Sequence, residues 1–319
     1  MDLCVCGETA KELLGRMSRS EMLELEIVDE SDVLFSNLSW RESRDLSRSI
    51  WGDSQACADI LVRNQRMRRK GKEASYHLWS GDIPSGSLAR YSDDIAIALP
   101  WFELVRQSPE LSMEKIAKEL MRITSTFERG TNQDNELPAC NPMITWDALE
   151  RYVSSAKGLR GVSRVREALE WAPPNARSPR EIDLTIALAA PVRTGGCGLP
   201  IPELNHKVRL GIEAARMLGK SVCYVDLFWE GATPEYADCG AEYLGAKDHP
   251  NIGPELTRVN ALSLEGINLN LIANEQFMSA GQLLITAKRI ARVIGYMPFG
   301  DRWPSESDLQ AHISRIIAA

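Results

Sequence analysis

Residues 222–229, Val-Cys-Tyr-Val-Asp-Leu-Phe-Trp, constrain the fold more than any other segment of this chain. A short run of apolar, aromatic and β-branched residues of this kind reads as a strand. It is apolar on both faces, which places it centrally in a sheet covered on both sides. Elements of helical and of alternating period surround it. Ser178-Pro-x-Glu181 has the arrangement of a capping box with proline at the first helical position, opening a helix to Pro191. Gly195-Gly-Cys-Gly-Leu-Pro200 can only be a turn or loop. Strands are expected over 204–210, 222–229, 235–239 and 267–273. Helices are expected over 255–264, where Gly266 ends the element, over 277–294, and in the tail from Ser305. The order helix, strand, strand, strand, helix, strand, helix describes a mixed sheet flanked by helices, an α/β fold.

The preceding part is less regular. Amphipathic helices are expected over 8–25, with Ser18 or Ser20 as a cap, and over 40–67. Short strands with turns fit 75–99, a helix follows Ser112, a polar loop covers 130–142, and further helices begin near Thr145 and Val162. Pro173-Pro-Asn-Ala-Arg177 is the best linker. The expected division is therefore a helix-rich α+β domain over 1–172 and an α/β domain over 178–319, and 319 residues suit two cores.

Formal net charge is −7, so any nucleic-acid contact must come from a local patch and not from the global field. The densest positive cluster is Arg63, Arg66, Arg68, Arg69, Lys70 and Lys72, which can face phosphates or simply form a solvated helix end. Cys4-x-Cys6 has no second close pair to complete a zinc site, and the four histidines are scattered, so buried reduced thiols are expected. No run reaches the ~18 apolar residues of a membrane helix, and a cytoplasmic location is expected.

Four motifs in order carry a resemblance: Ser178-Pro-x-Glu181, then Gly195-Gly-Cys-Gly-Leu-Pro-Ile-Pro-Glu-Leu-Asn205, then Asp226-Leu-Phe-Trp229, then Arg258-x-Asn-Ala-Leu-x-x-x-Gly266. With them, the second half resembles the restriction-endonuclease-like superfamily that includes type II restriction enzymes and very-short-patch-repair endonucleases. Within it, the chain is similar to a group of coriobacterial proteins and, more remotely, to the antitoxin of type IV abortive-infection systems. The resemblance implies a Mg²⁺-dependent phosphodiesterase site built from a helix glutamate, a central-strand aspartate, a glutamate of the next strand and a following histidine or lysine.

On that pattern Glu181 and Asp226 fit the first two places. Relatives continue with a segment like Glu-Tyr-Asp-Ser-Asp-Glu-Phe-His, and a gapless register anchored on Glu242-Tyr243 puts Ala237 at the metal glutamate and Leu244 at the histidine. Two groups are then missing. Glu235, two residues and about 7 Å from Ala237 on the same strand face, can replace the carboxylate only through a local bulge. Lys247 or His249 can replace the base. Each retained acid also has a plain structural reading. Glu181 is accounted for by its cap, and Asp226 by a strand-end position or a pairing with Arg258 or another cation.

The resulting expectation is a non-catalytic, degenerate nuclease-fold protein that binds or regulates, in a defence or toxin–antitoxin context. No cofactor is then needed. Two alternatives stay open: a Mg²⁺-dependent nuclease using Glu181, Asp226 and Glu235, and a protein–protein module without nucleic-acid binding.

Overall fold

The computed structural model describes residues 3–33, 35, 38–52, 56–68, 74–127, 140–244, 252–297 and 302–319. Both halves of the chain are mixed α/β, and the chain divides into two compact units: residues 1–110 with 141–166, and residues 111–140 with 167–319. The division does not follow the expected boundary. The Pro173–Arg177 segment, expected as a linker, is stitched into the second unit. Asn175 N donates to Thr124 O (3.3 Å), Thr126 N donates to Ala176 O (3.0 Å), and Ala176 is fully buried.

The first unit is built on β1 (Leu3–Val5), α1 (Gly7–Gly15), α2 (Arg19–Leu23), β2 (Ile27–Val28), α3 (Trp40–Trp51), β3 (Ala58–Val62), β4 (Ala74–Leu78), β5 (Leu88–Ser92), β6 (Ile95–Ala98) and α4 (Pro100–Gln107). Its sheet has the order β2-β5-β6-β1-β3-β4, with β1 parallel to β6 and β3 parallel to β4. Ser18 caps α2 as part of a full capping box, as its sequence position suggests. The helix expected over 40–67 stops at Trp51, where Gly52 takes a left-handed φ of 64°. The chain then becomes β3, whose Ala58, Ile60, Leu61 and Val62 are all fully buried. The run Ile60-Leu61-Val62, rich in β-branched residues, favours the sheet interior over helix propagation. Cys4 and Cys6 are buried, and burial pushes both thiols up, into their unreactive protonated form.

The second unit begins with α5 (Met113–Ile123). Helices α6 (Trp146–Ser155) and α7 (Val162–Leu169) follow in the chain, and the boundary between the units falls within α7. Then come α8 (Pro179–Ala189), β7 (Glu203–Arg209), α9 (Ile212–Leu218), β8 (Val222–Trp229), β9 (Asp238–Leu244), α10 (Ile252–Leu264), β10 (Ile267–Ala273), α11 (Asn274–Met278), α12 (Ala280–Ile294) and α13 (Glu306–Ala318). The sheet order is β10-β9-β8-β7. Strand β8 runs antiparallel to both of its neighbours, β7 and β9, and β10 runs parallel to β9. A parallel pair needs a crossover, and α10 supplies it. Helix α9 is an insertion between β7 and β8 that the strand pattern did not anticipate, and the helix expected over 277–294 breaks into α11 and α12 at Ser279.

Leu218 of α9 and Val259 and Leu262 of α10 pack on a core of Val208, Val225, Phe228, Ile267 and Leu269. Gly240 belongs to this layer: a Cβ there would lie 2.6 Å from Val225 Cγ1 and 2.8 Å from Leu269 Cδ1. Helix α8 packs on β8 and β9 and is joined by α5 and α13. Fully buried His312 of α13 ties them together, its Nδ1 2.9 Å from Glu114 Oε1 and its Nε2 3.3 Å from Ile186 O. The Gly195–Gly198 loop folds back on the end of α8, with Cys197 N on Ala187 O (3.0 Å) and Gly198 N on Ala190 O (3.0 Å). Gly196 has no room for a side chain, since a Cβ would meet Ala190 O at 2.3 Å.

Candidate functional site

The central strands of the second unit part company at two acids. The β8–β9 ladder joins Leu227–Trp229 to Cys239–Ala241. Beyond it, among the described residues, β8 continues against β7 alone and β9 against β10 alone. The first residues past the ladder are Asp226 on β8 and Glu242 on β9. Such a fork exposes main-chain groups and side chains from two strands to whatever fills it, and here the filling is charged.

Glu181 enters from the first turn of α8. Ser178 Oγ accepts from Glu181 N (3.1 Å), as the capping pattern predicts. The Glu181 carboxylate turns elsewhere: its Oε2 accepts from Arg177 N (2.8 Å) and from Asn205 Nδ2 (2.9 Å). Asn205 lies in β7 between the Leu204–Leu227 and His206–Val225 pairs, level with Asp226, and holds a left-handed φ of 55°. Asparagine is among the few residues that accept this conformation readily. Its amide also donates to Asn175 O (2.7 Å).

Glu242 is 3% exposed, and Arg258 of α10 answers it, with Nη2 2.6 Å from Oε1. The same Nη2 donates to Tyr224 O, so one guanidinium bridges the two arms of the fork. The acids feel one another strongly. Burial, then Asp226, pushes the Glu242 carboxyl up to about 8, against the opposing pull of Arg258. Burial, then Asp226, pushes Glu181 up to about 7, against the hydrogen bonds from Arg177, Asn205 and Ser178. Asp226 is itself raised by burial, and Glu255 of α10 adds to this while Arg258 and Arg177 oppose it. The three carboxyls thus lie within electrostatic reach of one another, and burial with the Asp226 charge favours the protonated forms of Glu181 and Glu242.

Of the acids singled out in the sequence, Glu181 and Asp226 therefore meet, and Glu235 does not join them. Glu235 sits in the exposed turn Thr233–Tyr236, outside β9, which begins only at Asp238. Ala237 is likewise exposed and outside the strand. The third acid is Glu242, which served in the sequence only to fix the register. The strand expected over 235–239 ended before it, and only the observed span of β9, Asp238–Leu244, places this acid in the sheet. Leu244, at the end of β9, stands two residues on, and Lys247 and His249 lie outside the described residues.

A hard divalent ion needs oxygens free to gather at ~2.1 Å in near-octahedral order. Here Glu181 is engaged by amide donors and Glu242 by a guanidinium. Among the described residues no three histidine, cysteine, aspartate or glutamate side chains are placed to hold an ion. The arrangement as it stands does not fit Mg²⁺.

The basic cluster divides too. Arg63 is an internal tie: its Nη1 donates to Trp79 O and Gly81 O (both 2.6 Å), and its Nη2 pairs with Glu30 (2.5 Å). Arg66 and Arg68 are exposed, and Arg69, Lys70 and Lys72 lie outside the described residues. Among the described residues no helix is long and apolar enough to cross a membrane. No family model, curated protein or solved structure matches the chain.

Proposed function

We propose that the second unit is a nuclease-fold module that no longer cleaves and acts instead by binding or regulation, in a defence or toxin–antitoxin setting. The observation that carries this reading is Arg258. A cation on a tether sits between Glu242 and the β8 main chain, where a hydrolytic centre of this type would require a metal ion. Support for the ancestry comes from the element order and from acids of α8, β8 and β9 meeting at the strand fork. Leu244 in place of a basic residue adds to the case against hydrolysis, since nothing at that position can handle a proton. The Glu235-based nuclease gains no support, because that side chain lies in a solvent-exposed turn.

The test is direct. The purified chain is incubated with single- and double-stranded DNA and RNA in Mg²⁺ and in Mn²⁺, beside Asp226→Ala. Both proteins are expected to leave the substrates intact. Metal-dependent cleavage that disappears in Asp226→Ala would sink the reading.

A further inference from the structure

The first unit exposes a tryptophan in company that points to a ligand. Trp40, the first residue of α3, is 56% exposed, although large aromatic side chains are usually well covered. Its turn is rigid. Ser39 Oγ accepts from Glu42 N (3.3 Å), and the Glu42 carboxylate accepts from Ser39 N (2.7 Å). Two guanidinium groups lie over the indole, that of Arg41 5.4 Å and that of Arg44 4.9 Å from the ring centroid. Cation–π contacts of this kind hold the three side chains as one preformed plate.

The direction of α3 brings more cations to the same end. Ala58 N donates to Ser47 Oγ (2.9 Å), tying the later half of the helix to the start of β3. Tyr76 of β4 donates to Leu38 O (3.3 Å) and lies 3.3 Å from Ser43 Oγ, tying the helix start further along the strands. Helix α3 therefore runs against β3 and β4, with Trp40 towards the end from which the chain leaves β3. There Asn64 Oδ1 accepts from Arg66 N (3.1 Å) and Met67 N (3.2 Å) and fixes a tight turn. Exposed Arg66 and Arg68 project from that turn, and neither makes an ion pair among the described residues. The nearby acids are weak competitors: Glu42 is engaged in the cap, and Asp45 stands 3.9 Å from Arg44.

We propose that Trp40, Arg41, Arg44, Arg66 and Arg68 form a docking surface for a single-stranded nucleic acid, with an unpaired base stacked on Trp40 and the arginines on its phosphates. A duplex satisfies the charges but hides its base faces, whereas a single strand offers both. The net charge of −7 repels polyanions at long range, so binding depends on this patch and weakens steeply with salt. The inference is independent of the carboxylate fork and stands whether or not the second unit cleaves.

Anisotropy of labelled oligothymidylate, oligouridylate and a mixed-sequence duplex, titrated with the full chain at several salt concentrations, tests it. Single strands are expected to bind more tightly than the duplex. Trp40→Ala should weaken single-strand binding at least about fivefold while Trp40→Phe keeps most of it, as stacking requires. Arg66→Gln with Arg68→Gln should lower the salt slope by about 0.7 for each phosphate that is no longer neutralised. Both sites are exposed, and circular dichroism checks that each variant is folded. Absence of binding at low salt, a duplex preferred over single strands, or undiminished affinity in Trp40→Ala would each overturn the proposal.

Discussion

Replacing Asp226 with asparagine should stabilise the second unit at high pH, which is the reverse of what most buried substitutions do. The sign follows from the acids around it. Burial and Asp226 raise Glu242 from an ordinary 4.5 to about 8 and Glu181 from 4.5 to about 7. The folded state therefore holds protons that the unfolded chain has released between pH ~4.5 and ~8, and stability falls as pH rises through that window. For Glu242 the full difference is worth about 5 kcal/mol above pH 8, at ~1.4 kcal/mol per pH unit. Burial is the leading cause, so the Asp226 share is the smaller part, about 1–2 kcal/mol on Glu242 and about 1 kcal/mol on Glu181. Asp226→Asn should thus gain about 2 kcal/mol or more at pH 8.5 and distinctly less at pH 5, where both glutamates are protonated and only the burial cost of Asp226 itself is relieved. Urea unfolding at the two pH values, followed by circular dichroism, measures it. Glu235→Gln is the control and should stay within about 0.5 kcal/mol at every pH, as an exposed turn residue does. A loss of stability in Asp226→Asn at pH 8.5, or the same difference at both pH values, would refute the electrostatic account of the fork. A stabilised variant is the usual result where like charges were assembled for a task other than folding.

Arg258→Ala should destabilise by roughly 3 kcal/mol near pH 8, because it strands the Glu242 carboxyl and the Tyr224 carbonyl together. The loss should shrink towards pH 5, and the double variant with Glu242→Gln should recover a large part of it in a double-mutant cycle of urea unfolding. Gly196→Ala should lower stability by more than about 2 kcal/mol in thermal unfolding, since its Cβ would meet Ala190 O at 2.3 Å and only a main-chain shift relieves that.

Local patterns in the sequence were enough for the elements whose determinants are themselves local. The apolar run 222–229 is β8 to the residue, Ser178 caps α8, and Ser18 caps α2, because periodicity and capping act within a few residues. Where tertiary contacts decide, sequence reasoning fell short. Residues 52–62 continue a helical texture, yet burial in a six-stranded sheet turns 58–62 into β3. The Pro-Pro segment looks like a linker until Thr124 and Thr126 are found bonded to its main chain.

The same division runs through the site. By itself, the sequence determined an α/β chain with Asp226 inside its most apolar strand and Glu181 at the start of a helix. It did not reveal which third acid would meet them, because Glu235 and Glu242 are both acids near the β8–β9 connection. That depends on where the ladder starts, and pairing Trp229 with Cys239 leaves Glu235 in solvent and brings Glu242 to the fork. Nor did sequence spacing show that Arg258, sixteen residues further on, would reach back to bridge Tyr224 and Glu242. A long-range ion pair is fixed only when the sheet register and the crossover helix are both in place.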